Sequence, residues 1–120
     1  MLFARDKGFI VEDYVCRYLK RHGLKLLQRN YQCRGGEIDS VMLDGSILVF
    51  VEVRFRKTAR FGSALESVDH RKQSRIIHAA SHFLQNASVP HTGCRFDVVG
   101  VSPGEKEYTV EWIKNAFQLV

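Results

Sequence analysis

Two carboxylates stand out by their placement. Asp39 closes the segment Gly36-Glu37-Ile38-Asp39, and Glu52 follows Ile47-Leu48-Val49-Phe50-Val51, the longest purely apolar run in the chain. An ionised carboxylate at the end of so apolar a stretch is costly unless a cation accompanies it. Asp44-Gly45, between the two segments, is a strong hairpin signal. A tight turn centred there sets Asp39 opposite Phe50, diagonal to Glu52 and on the same face. Two close carboxylates repel each other, and a divalent cation between them resolves the conflict. Mg²⁺ suits such a pair, because it takes oxygen ligands and keeps several waters. Glu52, Arg54 and Arg56 alternate along one strand and share a face. Metal, carboxylates and an adjacent cation are the parts needed for phosphodiester hydrolysis. In the plainer alternative Asp39 is a surface acid and Glu52 pairs with Arg54 or Arg56. The apolar strand ahead of the cluster and the turn-constrained register favour the metal site.

Further cations surround these residues. Arg54-Phe55-Arg56-Lys57 and Arg60-Phe61 interleave charge with aromatics, a pattern able to follow a phosphate backbone and stack on bases. A solvated edge with both phenylalanines turned inward explains the pattern equally well. Arg71, Lys72 and Arg75 are spaced for a cationic helix face, from which Lys72 or Gln73 could approach the acids. Asp97, between Phe96 and Val98, reads as the partner of a nearby Arg or Lys. His78 and His82 form an i, i+4 pair without the acid of the zinc-protease motif, and read as surface or interface residues. Gly35-Gly36 is too short to cradle a phosphate and lets the chain turn tightly.

The elements that must position these residues alternate in type. Arg5 to His22 has helical periodicity through Ile10, Tyr14, Val15, Tyr18 and Leu19, with Gly23 as a stop. Leu24 to Gln32, Glu37 to Leu43 and Ser46 to Phe55 read as strands. The last, apolar on both faces, belongs mid-sheet. Ser67 to Gln85 reads as a second helix burying Val68, Ile76, Ile77, Ala80, Phe83 and Leu84. Cys94 to Val101 and Tyr108 to Ile113 are two more strands around a Pro103-Gly104 turn. Helix, three strands, helix, two strands describes an α/β domain with a mixed central sheet flanked by helices.

A length of 120 residues suits one domain with one core. No apolar stretch approaches a membrane span or a signal peptide, so a cytoplasmic protein without a membrane partner is expected. Lys and Arg outnumber Asp and Glu by 18 to 13, which favours polyanionic partners. Cys16, Cys33 and Cys94 form no CxxC pair, which excludes a zinc ribbon.

Several of these segments together resemble the small bacterial YraN-type proteins, a largely uncharacterised family assigned to the PD-(D/E)xK nuclease superfamily. The resemblance rests on Glu12, on Gln28-Arg29-Asn30-Tyr31 before Gly36-Glu37-Ile38-Asp39, and on Val49-Phe50-Val51-Glu52-Val53-Arg54. It continues through Phe61-Gly62, Lys72 with Arg75-Ile76, and Arg95-Phe96-Asp97-Val98-Val99. It implies a restriction-endonuclease-like core over residues 1–120 and a nuclease that uses Mg²⁺ or Mn²⁺ to cut DNA. It is similar to archaeal Holliday-junction resolvases, so branched DNA and a homodimer are among its implications. Carried over, Asp39 and Glu52 are the metal ligands, and Glu12 is an auxiliary acid. Arg54 stands where the superfamily has Lys, and Val11 where many relatives have Gly. Arg stays protonated, so Arg54 can stabilise charge but cannot act as a base. The expected nucleic-acid contacts are Arg54, Arg56, Lys57, Arg60, Lys72 and Arg75. The alternatives are an inactive nucleic-acid-binding module on the same fold and a protein-interaction module.

Overall fold

The computed structural model of the protein describes residues 4–58 and 62–118, with side chains from residue 8. The element order is α1 (Ala4–Arg21), β1 (Lys25–Cys33), β2 (Gly36–Asp44), β3 (Ile47–Phe55), a short 3₁₀ turn (Leu65–Ser67), α2 (His70–Asn86), β4 (Gly93–Pro103) and β5 (Tyr108–Phe117). Five strands form one sheet in the order β1-β2-β3-β4-β5. β3 and β4 run parallel and the other neighbours antiparallel, so the sheet is mixed. The parallel pair is joined through α2, the crossover such a pair requires. β3 is central, as its apolar run demands.

Alternation along β3 feeds two cores. Leu48 and Phe50 pack beneath α2 with Ile76, Ala79, Ala80 and Phe83. Val49 and Val51 pack on the other face with Val11, Val15 and Leu19 of α1. The apolar stripe of α1 therefore runs through Val11, and Ile10, expected inside, is 40% exposed. Val11, Val15 and Leu19 keep the i, i+4, i+8 spacing of a single face, and Ile10 lies one step around the helix.

α2 begins three residues later than its periodicity suggests. Asp69 is the cap, its carboxylate accepting from the Lys72 N–H at 2.8 Å. This satisfies one of the otherwise unpaired donors of the first turn. Val68 is buried but belongs to the connection, outside the helix.

The β2–β3 turn also differs from expectation. Asp44 pairs with Ile47, so the central turn residues are Gly45 and Ser46. Gly45 has φ +61°, and glycine at the first central position is the II′ hairpin signature. Asp44 stays in the strand, where its carboxylate accepts from Arg95 Nη1 at 2.9 Å. Continued one step past its last pair, Ser40 and Val51, this register sets Asp39 level with Glu52 rather than Phe50. A two-residue shift leaves every side chain on its original face, so the same-face expectation survives the correction.

Candidate active site

The site forms where β2 leaves β3. Their paired register runs from Asp44 and Ile47 down to Ser40 and Val51 and goes no further. β3 continues beside β4 to Phe55 and Val101, while β2 continues beside β1 to Gly36 and Cys33. The two halves of the sheet thus diverge at Asp39. The core contacts show the same break. Ile38 and Val41 both enter the α2-side core, although regular alternation would send residues three apart to opposite faces. On the neighbouring strand Asn30 has φ +53°, an irregularity beside the same point.

Into this notch Asp39 projects its carboxylate. Its Oδ2 accepts from the Val53 N–H at 2.8 Å, replacing the ladder bond that β2 no longer supplies. Glu52 is buried, only 3% exposed, and lies within hydrogen-bonding range of Asp39. Both acids are pushed above the ordinary carboxylate range. For Asp39 the leading cause is burial, offset by the Val53 N–H and a hydrogen bond to Glu52. For Glu52 burial comes first and the Asp39 charge second, and its carboxyl is pushed up to about 8. Desolvation and a like-charged neighbour both disfavour ionisation.

Cations reach Glu52 from two elements. Arg54 Nη1 of β3 lies 3.5 Å from Glu52 Oε2. The rest of that guanidinium is fixed by the 3₁₀ turn, Nε donating to Ser67 Oγ at 3.1 Å and Nη2 to the Ser67 carbonyl at 3.0 Å. Lys72 Nζ descends from the first turn of α2 to 3.7 Å from Glu52 and 3.6 Å from Glu37. An ammonium therefore reaches the acids from a helix, although the strand position holds Arg.

Glu12 approaches from α1, half-buried. Its carboxyl is pushed up chiefly by burial and next by Asp39, while Arg29 pulls it down. Arg29 donates to Asp13 at 3.3 Å and lies over the Phe9 ring at 5.0 Å. The sheet divergence thus gathers Glu12, Glu37, Asp39, Glu52, Arg54 and Lys72 from four elements. Glu37 is the member that the sequence did not single out. Its signal was available in the β2 alternation, which puts it two residues from Asp39.

The other expected contacts lie elsewhere. Arg56 donates to the Gly62 carbonyl at 2.7 Å and faces Glu111 of β5 at 3.4 Å. Lys57 is exposed beyond the end of β3. Arg75 is exposed on α2, and Arg60 and Phe61 lie outside the described residues. Asp97 is held by Arg95, as its position suggested.

Asp39 and Glu52 fit a small divalent cation, since such an ion needs one or two carboxylates and otherwise keeps water. Among the described residues no group of three or more His, Cys, Asp or Glu side chains is arranged to hold an ion. Waters and substrate oxygens would complete the shell. No described helix is long and apolar enough to cross a membrane.

Comparison with known proteins adds an independent finding. The sequence model described as "Uncharacterised protein family UPF0102" matches residues 11–101, a span containing Glu12, Glu37, Asp39 and Glu52. A UPF0102 protein of Nitrosococcus oceani is 47% identical over 116 residues, covering 96% of this chain and 94% of the relative. Those of Pseudomonas aeruginosa and Saccharophagus degradans are 50% and 52% identical, each covering 95% of this chain and 94% of the relative.

Proposed function

The chain belongs to the uncharacterised protein family UPF0102, and from that premise and the geometry of the notch we propose that it is a Mg²⁺- or Mn²⁺-dependent nuclease acting on DNA. One observation carries the reading: Asp39 and Glu52 lie side by side where the sheet divides, burial raising the pKa of each, with Lys72 beside them. Such a pair is a metal ligand set waiting for its charge to be neutralised.

A bound ion would polarise the scissile phosphate and favour ionisation of water. The chain's own groups do the rest. Asp39 and Glu52 would hold the ion. The Val53 N–H keeps one Asp39 oxygen fixed. Lys72 stands where negative charge grows on the phosphoryl oxygens, and charge placed there in advance lowers the barrier. Glu12, facing the same notch, can accept a hydrogen bond from the attacking water. Arg54 holds the 3₁₀ turn against β3 and presents only Nη1 to the acids.

A second reading, DNA binding without hydrolysis, draws on the clamped Arg54 in the place of a lysine. Cleavage of linear, flapped and four-way DNA with Mg²⁺ or Mn²⁺ decides between them. The nuclease reading expects Asp39→Asn and Glu52→Gln each to lose about a hundredfold or more, since even indirect supports of a metal cost 10–100-fold. Equal cutting by either variant overturns the assignment.

A further inference from the structure

α2 carries three cations, Arg71, Lys72 and Arg75, and not one Asp or Glu in its 17 residues. Solvated helices ordinarily mix the two signs, as α1 does with Asp6, Lys7, Glu12, Asp13, Arg17, Lys20 and Arg21. The cations of α2 are also unevenly placed. At 3.6 residues per turn, Arg71, Arg75, His78 and His82 form one flank, facing the β1–β2 turn. Beside it His70, Gln73, Ser74 and Ile77, with His78 at the border of the two flanks, line an open hollow edged by Phe117, with no arginine among its lining.

The β1–β2 turn is fastened to the cationic flank and adds to it. His78 Nε2 lies 2.9 Å from the Arg34 carbonyl, and His82 bonds to the Tyr31 hydroxyl. Gly36 sits so close that a Cβ there would lie 2.3 Å from the Arg75 carbonyl, so only glycine permits the docking. This contact brings Arg34 beside the arginine flank. Arg34, Arg71 and Arg75 are all exposed, and among the described residues none has an ion-pair partner. Lys72, which follows Arg71 in the first turn, is already in the notch.

We propose that Arg34, Arg75 and Arg71 form a track for one phosphate backbone of DNA, which Lys72 delivers to Asp39 and Glu52. Arg71 to His78 spans about 10 Å of helix, or about three nucleotides of one strand at 3.4 Å rise. The track takes its polyanion from the nuclease reading, but it differs from the contacts expected along Arg54-Phe55-Arg56-Lys57, where Arg54 and Arg56 are committed to Ser67 and to Gly62 and Glu111.

The test is binding of a short fluorescein-labelled DNA duplex in EDTA across a salt series, so that cleavage plays no part. Each lost phosphate contact lowers the slope of log K against log salt by about 0.9. The variant R34Q/R71Q/R75Q is expected to flatten that slope by about 2–3 and to bind about tenfold or more weakly at low salt. The control K20Q/R21Q/K25Q removes the same charge from the far end of α1 and the start of β1 and is expected to change the slope by less than about 1. Arg71→Gln alone, at an exposed position, is expected to flatten it by about 1. An unchanged slope in the α2 variants, an equal loss in the control, or no binding by the parent overturns the track. Asp39→Asn is expected to bind at least as well as the parent in EDTA. Absence of cleavage by the parent with intact track binding, or the reverse, therefore separates failure of one proposal from failure of the other.

Discussion

Two acids on adjacent central strands, Asp97 and Glu52, are almost equally buried, at 0% and 3% exposure. Their surroundings differ entirely. Asp97 receives Arg95 Nε on both oxygens at 3.0 and 3.2 Å, Trp112 Nε1 at 2.9 Å and the Asn115 N–H at 2.9 Å. The fold bends to provide these donors: the β4–β5 register shifts between Phe96 and Val98, and Asn115 adopts φ +52°. Glu52 has no comparable cage. Its cations stand off at 3.5 and 3.7 Å, and another carboxylate is its neighbour. Burial by itself therefore does not mark a functional acid. A buried acid supplied with donors braces the fold, and one left short of them is prepared for a cation from outside.

The largest effect should come from exchanging the acids for their amides without metal. Asp97→Asn removes the more buried of the two carboxylates that pair with Arg95, leaving only Asp44, and converts one accepting oxygen into a donor. Breaking one side of such a pair costs about 3–5 kcal/mol. The melting temperature should fall by about 10 °C or more, at roughly 3–6 °C per kcal/mol for a chain of this size. Glu52→Gln relieves repulsion instead and should leave the melting temperature unchanged or higher. Differential scanning calorimetry in EDTA checks both, and similar losses in the two variants would erase the distinction.

A smaller effect is expected from pH. The Glu52 carboxyl is pushed up from 4.5 to about 8 in the folded chain. Folding therefore takes up a proton between those values, so the stabilisation is full below pH 4.5 and disappears as pH rises through 8. Metal-free protein should melt progressively lower from pH 5 to pH 8.5, and Glu52→Gln should flatten the trend. Saturating Mn²⁺ should raise the melting temperature most at the alkaline end, where the ligands are ionised; at a hundredfold excess over Kd the stabilisation is about 2.7 kcal/mol. A parent curve that climbs with pH in EDTA would contradict the raised Glu52 carboxyl.

The sequence made much of this legible because the signals were local. The apolar run Ile47–Val51 announced a central strand, and the turn dipeptide tied Asp39 to Glu52. A period of two made their shared face insensitive to the error in turn position. What escaped was long-range. Beyond its divergence from β3, β2 seats Gly36 against the α2 backbone at Arg75, a contact between residues far apart in the chain. Glu37 reads as an ordinary strand acid until Lys72 descends to it. The cage around Asp97 required Trp112 and Asn115 from a strand whose later half carries no clear alternation. The exposure of Ile10 followed from which of two overlapping apolar stripes on α1 met Val49 and Val51.

The smallest expected effect concerns the two cations that share Glu52. Arg54 is a clamp if its bonds to Ser67 matter more than its approach to the acid at 3.5 Å. A lysine at that position reaches forward as a single point charge but cannot hold the hydroxyl and the carbonyl together. Arg54→Lys should lose about 0.5–1.5 kcal/mol of stability, the range of one hydrogen bond. Ser67→Ala removes only the side-chain half of the clamp, together with the bond from Ser67 Oγ to the Ala64 carbonyl at 2.6 Å. It should lose a similar amount without touching the acids. Urea melts of the two variants and their double mutant test the coupling: if Arg54 acts through Ser67, the double mutant is less destabilised than the sum. Strict additivity would release Arg54 from the turn, make it a second cation of the notch alongside Lys72, and narrow the contrast between the donor-rich Asp97 and the donor-poor Glu52.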